Sequence, residues 1–426
     1  MKNNNPAVLE NMTQLLALPE TKVTAIKESK NSRSVILVVE STREKLPCRQ
    51  CGKSTNGHGV GRVITLRHLP LLGKETYLEI TPRRGICNHC DDQPTTTEQM
   101  DWYEPKHKLT KPYEQHLLFE LINSTVSDVS RKENIDYHTV ENLIDAYIDQ
   151  AIDYSKIKDL CVLGLDEISI KKGYRDFVTL ITYRIDNKVH ILGVIEGREK
   201  AEVERFLKGI PQRLRRTVCA ICCDLYEGYM NACQSVFKKK VPVVTDRFHV
   251  RKLYRKSLVS LRKSELQRLR KELGDKDYQS LKAAIAILKK QKDYFTEEEK
   301  PIVKKIFDYS PKLKIAYQFS RELTGIFDSH ITQSAAKEKL SIWMASVMDS
   351  KLECFNAFIK TLSKHQEPIS NYFIQRNTSG FVEGFNNKVK VLKRRCYGLS
   401  SAVRLFQRLL LDTMGMVWFA PGTSAF

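Results

Sequence analysis

Cys48-Arg-Gln-Cys51-Gly52 and Cys87-Asn-His-Cys90 are two Cys-x-x-Cys knuckles, with strand-rich sequence between them at 62–66 and 75–81. Two thiolates from each knuckle close one tetrahedral site, so the pair predicts a zinc ribbon with Cys48, Cys51, Cys87 and Cys90 as ligands. Gly52 allows the tight turn that aims backbone amides at sulfur. His58 and His89 are close enough to compete, but four cysteines already fill the shell. A filled shell makes the zinc structural. A redox role would need a thioredoxin-like strand–helix–strand setting, which the surrounding sequence does not offer. Eleven cysteines, an odd number, read as reduced thiols of a cytoplasmic protein rather than a disulfide framework.

The chain has 426 residues, 42% hydrophobic and 28% charged, with a formal net charge of +20. That balance is globular, and the length calls for several domains. A positive field of this size attracts phosphate polymers or anionic membranes. No run of about 18 apolar residues occurs, and the start, MKNNNPAVLENM, has no signal-peptide core. Nucleic acid is therefore the better expected partner than a membrane.

Helical periodicity begins at 108. Leu109, Tyr113, Leu117, Leu118, Leu121 and Ile122 form one stripe, followed by a short helix near 126–132 and a turn at Glu133-Asn134-Ile135. Asp136 caps a longer helix whose buried side carries Val140, Leu143, Ile144, Tyr147 and Ile148. This is the layout of a helix-turn-helix, with Tyr137, His138 and Thr139 at the end where base contacts are made. Glu141, Asp145 and Asp149 make that helix acidic, and a plain three-helix connector is the competing reading.

Beyond 159 the pattern changes again. CVLGLDEISI (161–170) reads as a buried strand carrying Asp166 and Glu167 near its end. Strands at 174–185 and 188–196, joined by Asp186-Asn187, come next. A helix, a strand at 217–223 ending in Asp224, a second helix and a strand at 241–245 capped by Asp246 complete the series. Three antiparallel strands followed by alternating helix and strand are the order of an RNase H-like sheet. In that order Asp166 and Asp224 end neighbouring central strands. A single strand-end Asp is usually a turn former. Far downstream, in 378–397, Ser379 is a candidate N-cap, and Phe381, Phe385, Val389 and Leu392 fall on one helical stripe. Glu383, Asn387, Lys390 and Arg394 fall on the opposite side. Three carboxylates meeting at one point in a basic chain would repel one another unless divalent cations joined them, two Mg²⁺ ions about 3.5–4 Å apart being the familiar arrangement.

GLDEISIKKGYRDFVTLITYRID, CCDLYEGYMNACQSVFKKKVPVVTDRFHVRKL and NTSGFVEGFNNKVKVLKRRCYGL resemble, in order and content, the DDE transposases of bacterial insertion sequences, the ISL-three family above all. The resemblance runs from Cys48 to about Leu410. It implies a multidomain α/β protein: N-terminal zinc ribbon, helix-turn-helix, and an RNase H-like catalytic domain interrupted by an all-α insertion. It further implies Asp166, Asp224 and Glu383 as the catalytic, Mg²⁺- or Mn²⁺-binding triad. Asp246 and His249 match an Asp-x-x-His motif beside the site, where Asp246 rivals Asp224 as second ligand. The first knuckle departs from the family's commoner Cys-Pro-x-Cys.

The expected domains are 1–105 (zinc ribbon), 106–158 (helix-turn-helix), 159–249 (catalytic, first part), 250–375 (helical insertion) and 376–426 (catalytic, second part, and tail). At the start of the insertion, 251–273 is a basic amphipathic helix whose Arg251 and Arg255 either track DNA phosphates or form a solvated face. Trp343, on an apolar helix face, reads as core. Lys390 and Arg394, sharing the Glu383 side, are the best candidates to hold the scissile phosphate. The expected function is cleavage and transfer of DNA strands at the terminal inverted repeats of a mobile element. A homodimer or larger assembly follows from the need to join two ends. The competing readings are a zinc-ribbon DNA-binding regulator on a non-catalytic scaffold, and a nuclease that cuts without joining.

Overall fold

The computed structural model describes the chain except residues 1, 4, 29–32, 170–176, 246, 285–286, 290–294, 379, 400 and 423–426. Asp246 and Ser379 thus lie outside the described residues. Two compact units form: Met1–Asp149 with Leu410–Phe426, and Gln150–Leu409.

In the first unit, strand Ser34–Ser41 buries Val35, Leu37 and Val39 in strict alternation, the signature of a sheet with one covered face. It sits at the centre of a five-stranded sheet in the order Lys2–Asn3, Thr21–Glu28, Ser34–Ser41, Lys74–Ile80, Ile64–Leu71. The strand-rich stretch between the knuckles is divided between two sheets. Its hairpin, Ile64–Leu71 with Lys74–Ile80, joins this large sheet. Asn56–Val60 and Arg83–Ile86 instead build a three-stranded sheet with Thr95–Thr97 beside the cysteines.

Helices Lys111–Glu120, Val126–Glu133 and Tyr137–Tyr147 follow. Thr125 caps the second through the Asp128 amide at 2.9 Å, and Asp136 caps the third through the Thr139 amide at 3.0 Å. Asn134, at φ +50°, turns the chain between them as a left-handed C-cap. The final helix, Ala402–Phe419, is longer than the apolar run at 403–411 suggests. Its second half belongs to this unit: the Asp412 carboxylate accepts from the Asn123 amide at 3.0 Å, and Gly415 lies against Ile122.

The second unit is built on a mixed five-stranded sheet ordered Lys188–Glu196, Phe177–Ile185, Cys161–Ser169, Val218–Cys223, Val243–Thr245. The first three strands are antiparallel, and the last two run parallel to Cys161–Ser169. Asp186 and Asn187 take φ of +47° and +60°, the turn geometry that closes a two-residue hairpin. Alternate residues of the central strands feed two cores. Leu163, Leu165, Ile221 and Cys223 pack with helices Lys200–Gly209 and Glu227–Phe237. Val162, Ala220, Cys222 and Val244 pack with the all-α insertion that starts at helix Arg247–Glu272. Within that insertion Tyr254, Trp343, Phe355 and Phe358 form an aromatic cluster. The Trp343 indole is 3% exposed and donates to the Phe319 carbonyl at 3.0 Å, so it is core. The strand order is the RNase H-like one, and the chain is a multidomain α/β protein. No helix among the described residues is long and apolar enough to cross a membrane.

Candidate active site

Parallel pairing places Ile221 opposite Leu163 and Cys222 opposite Gly164. Two residues further along the same register, Asp224 stands beside Asp166, where adjacent strands are about 4.8 Å apart. Each carboxylate is anchored locally. The Glu167 amide donates to Asp166 Oδ1 at 2.8 Å, and the Tyr226 amide donates to Asp224 Oδ1 at 3.0 Å. Burial raises the Asp166 carboxyl above its usual range, and the Asp224 charge raises it further. Burial likewise raises Asp224, with Glu167 adding to it. The imidazole of His249, in the first turns of helix Arg247–Glu272, favours the ionised form of both aspartates.

Helix Gly380–Arg395 lies over this sheet edge. The missing side chain of Gly164 makes the approach possible: a Cβ there would meet Val382 Cγ2 at 2.4 Å, Thr182 Oγ1 at 2.7 Å and Phe381 at 2.9 Å. Arg184 secures the start of the helix, donating to Asn377 Oδ1 at 2.9 Å and lying 5.0 Å over the Phe381 ring. The buried face carries Val382, Phe385, Asn386, Val389 and Leu392. Glu383, Asn387, Lys390 and Arg394 are exposed, the division of faces that the periodicity predicts.

The helix residue that touches the aspartates is Asn386, whose amide donates to Asp166 Oδ2. Glu383 stands one turn earlier on an exposed flank, about 60° around the axis. Among the described residues, Asp166, Asp224 and Glu383 are not drawn together into a single metal-ligand cluster. What the site presents is two half-buried carboxylates of like charge and the Asn386 Oδ1, a hard oxygen buried with no hydrogen-bond partner among the described residues. This donor set fits a divalent cation of the magnesium type, which takes oxygen ligands and keeps its remaining waters.

Three neighbours were not foreseen from the sequence. Arg198 pairs with Glu167 at 2.8 Å and lies over the rings of Phe177 and Tyr226 at 5.1 and 5.0 Å. Lys393 donates to the Ser169 carbonyl, and burial pulls its ammonium below the usual lysine range. Asn386, beside Phe385 on the buried face, is the third, and a polar residue next to an apolar stripe is itself a signal. Of the other expected DNA contacts, Arg251 and Arg255 are exposed on helix Arg247–Glu272. Tyr137 and His138 are exposed at the start of helix Tyr137–Tyr147, with His138 3.5 Å from Glu141, while Thr139 is half-buried.

In the first unit, the sulfurs of Cys48, Cys51, Cys87 and Cys90 all lie within 4.8 Å of one another, with Cys51–Cys87 at 3.6 Å and Cys87–Cys90 at 3.7 Å. Four sulfurs at ~2.3 Å from a tetrahedral zinc would stand about 3.8 Å apart, so the cluster fits structural zinc. The amides of Gln50 and His89 each donate to a knuckle sulfur at 3.4 Å, and Gly52 adopts φ +70°. His58 and His89 contribute no ligand atom to the cluster.

Comparison with known proteins places three family matches along the chain. Residues 163–409 match a transposase family of the DDE, ISL3 type. Residues 98–148 match the helix-turn-helix domain of transposase family ISL3, and residues 45–90 match the zinc-finger of transposases IS204/IS1001/IS1096/IS1165. Among curated proteins, the transposase for insertion sequence element IS1001 of Bordetella parapertussis is 23% identical over 381 residues, covering 88% of this chain and 91% of the relative. An ATP-dependent protease of Lactococcus lactis subsp. lactis is 25% identical over 130 residues, 29% of this chain and 39% of that protein.

Proposed function

The chain belongs to the ISL3 family of transposases, and on that premise we propose that it cleaves and transfers DNA strands at the terminal inverted repeats of its own element, with Asp166, Asp224 and Glu383 as the catalytic carboxylates. The observation that carries this reading is the register that sets Asp224 beside Asp166 beneath the helix bearing Glu383.

Asp166 and Asp224 form the fixed part of the cation site, held by backbone amides on neighbouring strands. Asn386 orients Asp166, and Glu383 joins them from the exposed flank of its helix once DNA is seated. Magnesium or manganese, when bound there, supplies the Lewis acidity that activates water or a 3′-hydroxyl and steadies the leaving oxygen. The chain itself contributes no nucleophile. Lys390 and Arg394, exposed on the Glu383 side, hold the phosphate flank by charge-assisted hydrogen bonds. His249 tunes the two aspartates from the insertion side. Tyr137, His138 and Thr139 reach base edges, and Arg251 and Arg255 contact backbone phosphates. The working form is a homodimer or larger assembly on DNA in the bacterial cytoplasm.

The test uses a duplex carrying the repeat that flanks the coding region. Glu383→Ala, Asp166→Ala and Asp224→Ala should each abolish metal-dependent nicking and strand transfer while end binding stays within about twofold. Full cleavage by Glu383→Ala would remove that residue from the triad. Nicking without joining by the unaltered chain would make it a nuclease.

A further inference from the structure

Between helices Arg247–Glu272 and Pro311–Asp328 of the insertion lies a cavity of about 440 Å³. That is within the range of sites that enclose one small organic ligand. Arg251, Arg255 and Arg262 line it from the first helix and Arg321 from the second. The lone carboxylate among its lining residues, Asp328, is engaged by Arg247. Arg262 Nε is buried without a hydrogen-bond partner among the described residues. Burial, and then the neighbouring Arg255 and Arg247, depress the Arg251 guanidinium; burial depresses Arg262. Four cations around one hollow, one of them with its Nε buried, are costly until an anion arrives.

The arginines are interleaved with apolar lining, Leu258 and Val259 on the first helix and Tyr317 on the second. A bare phosphate has no use for that apolar lining, and a stacked duplex would meet only the rim. A nucleotide uses both. We propose that this cavity takes one nucleotide of an unpaired DNA strand, its phosphate among the four arginines and its base against Leu258, Val259 and Tyr317. The proposal rests on the DNA-processing reading above and adds a single-strand site to it. Arg251 and Arg262 follow His249 by two and thirteen residues on one helix, on the side of it turned away from the imidazole. At 1.5 Å per residue that is roughly 3 to 20 Å along the axis, a span that a strand end freed by cleavage covers by passing round the helix.

The full-length chain is titrated, by fluorescence anisotropy at fixed salt, with a duplex bearing a short single-stranded extension and with the same duplex made blunt. Arg262→Gln combined with Arg321→Gln should weaken binding of the extended duplex roughly tenfold or more, and of the blunt duplex less than about twofold. Arg262→Lys, which keeps the charge but loses the guanidinium fork, should fall between. Arg321→Gln alone, at an exposed position, guards against a folding defect, and a melting curve checks each variant. Equal losses on both duplexes would reduce the arginines to a general basic surface and overturn the site. No loss would do the same. A calorimetric titration with deoxyadenosine monophosphate separates the two sources of a nucleotide. Arginine-dependent binding of the free nucleotide without preference for the extension would overturn the strand assignment. These readouts are binding constants, so they stand or fall separately from loss of cleavage in Glu383→Ala.

Discussion

Asp166 and Asp224 hold their protons more tightly in the folded chain than carboxylates do in water, chiefly through burial. For an acid shifted upward, the unfolded chain binds fewer protons across the interval between the two pKa values, so stability falls as pH rises through it. Without divalent cations, the apo chain should therefore lose stability as pH climbs just above the ordinary carboxylate range, and hold that deficit to neutrality. Asp166→Asn removes one of the two charges and should raise the melting temperature at pH 7.5 in chelator by ~2 °C. It should also remove most of the further rise that Mg²⁺ gives the unaltered chain. Calorimetry with and without Mg²⁺ checks both, and a lower melting point for the variant in chelator would show the pair to be stabilised by contacts other than a cation. At this scale the sequence told much about the aspartates and little about Asn386. Strand-end carboxylates declare themselves by position. An amide inside a buried stripe reveals its partner only when the sheet residue beneath it is known.

Helix Gly380–Arg395 reaches the sheet through one absent side chain. Gly164→Ala would place a methyl within 2.4 Å of Val382 and 2.7 Å of Thr182, and neither can swing clear, since Val382 and Thr182 are fully buried. The expected cost is about 1–3 kcal/mol, with Asn386 pushed off Asp166. The variant should bind element ends nearly normally yet cut them far more slowly, and parallel binding and nicking assays separate the two. Unchanged nicking would mean that the helix need not sit this close. Elements whose pattern is local were legible: the Asp186-Asn187 hairpin, the capped helix at Asp136, the alternating strand at Ser34–Ser41. The two-sheet division between the knuckles was not, because Arg83–Ile86 is a four-residue strand without apolar alternation, and only its pairing partners show which sheet it joins.

Across the molecule, the four cysteines that fit zinc and the proposed catalytic carboxylates fall in different compact units. Chelating zinc, or Cys87→Ser, should therefore lower one unfolding transition steeply while the transition of the unit holding Asp166 and Asp224 stays put, a separation that calorimetry resolves. A single transition shifting as a whole would contradict it. The contact of Asp412 with the Asn123 amide spans 289 positions, which no local pattern could announce. It also has a meaning in time. At ~5–20 residues per second, a ribosome needs on the order of fifteen to sixty seconds to pass from Asn123 to Asp412. During that interval Ile122 and the Asn123 amide lack this cover, so a newborn molecule has made all its candidate cutting residues before its helix-turn-helix receives its last support.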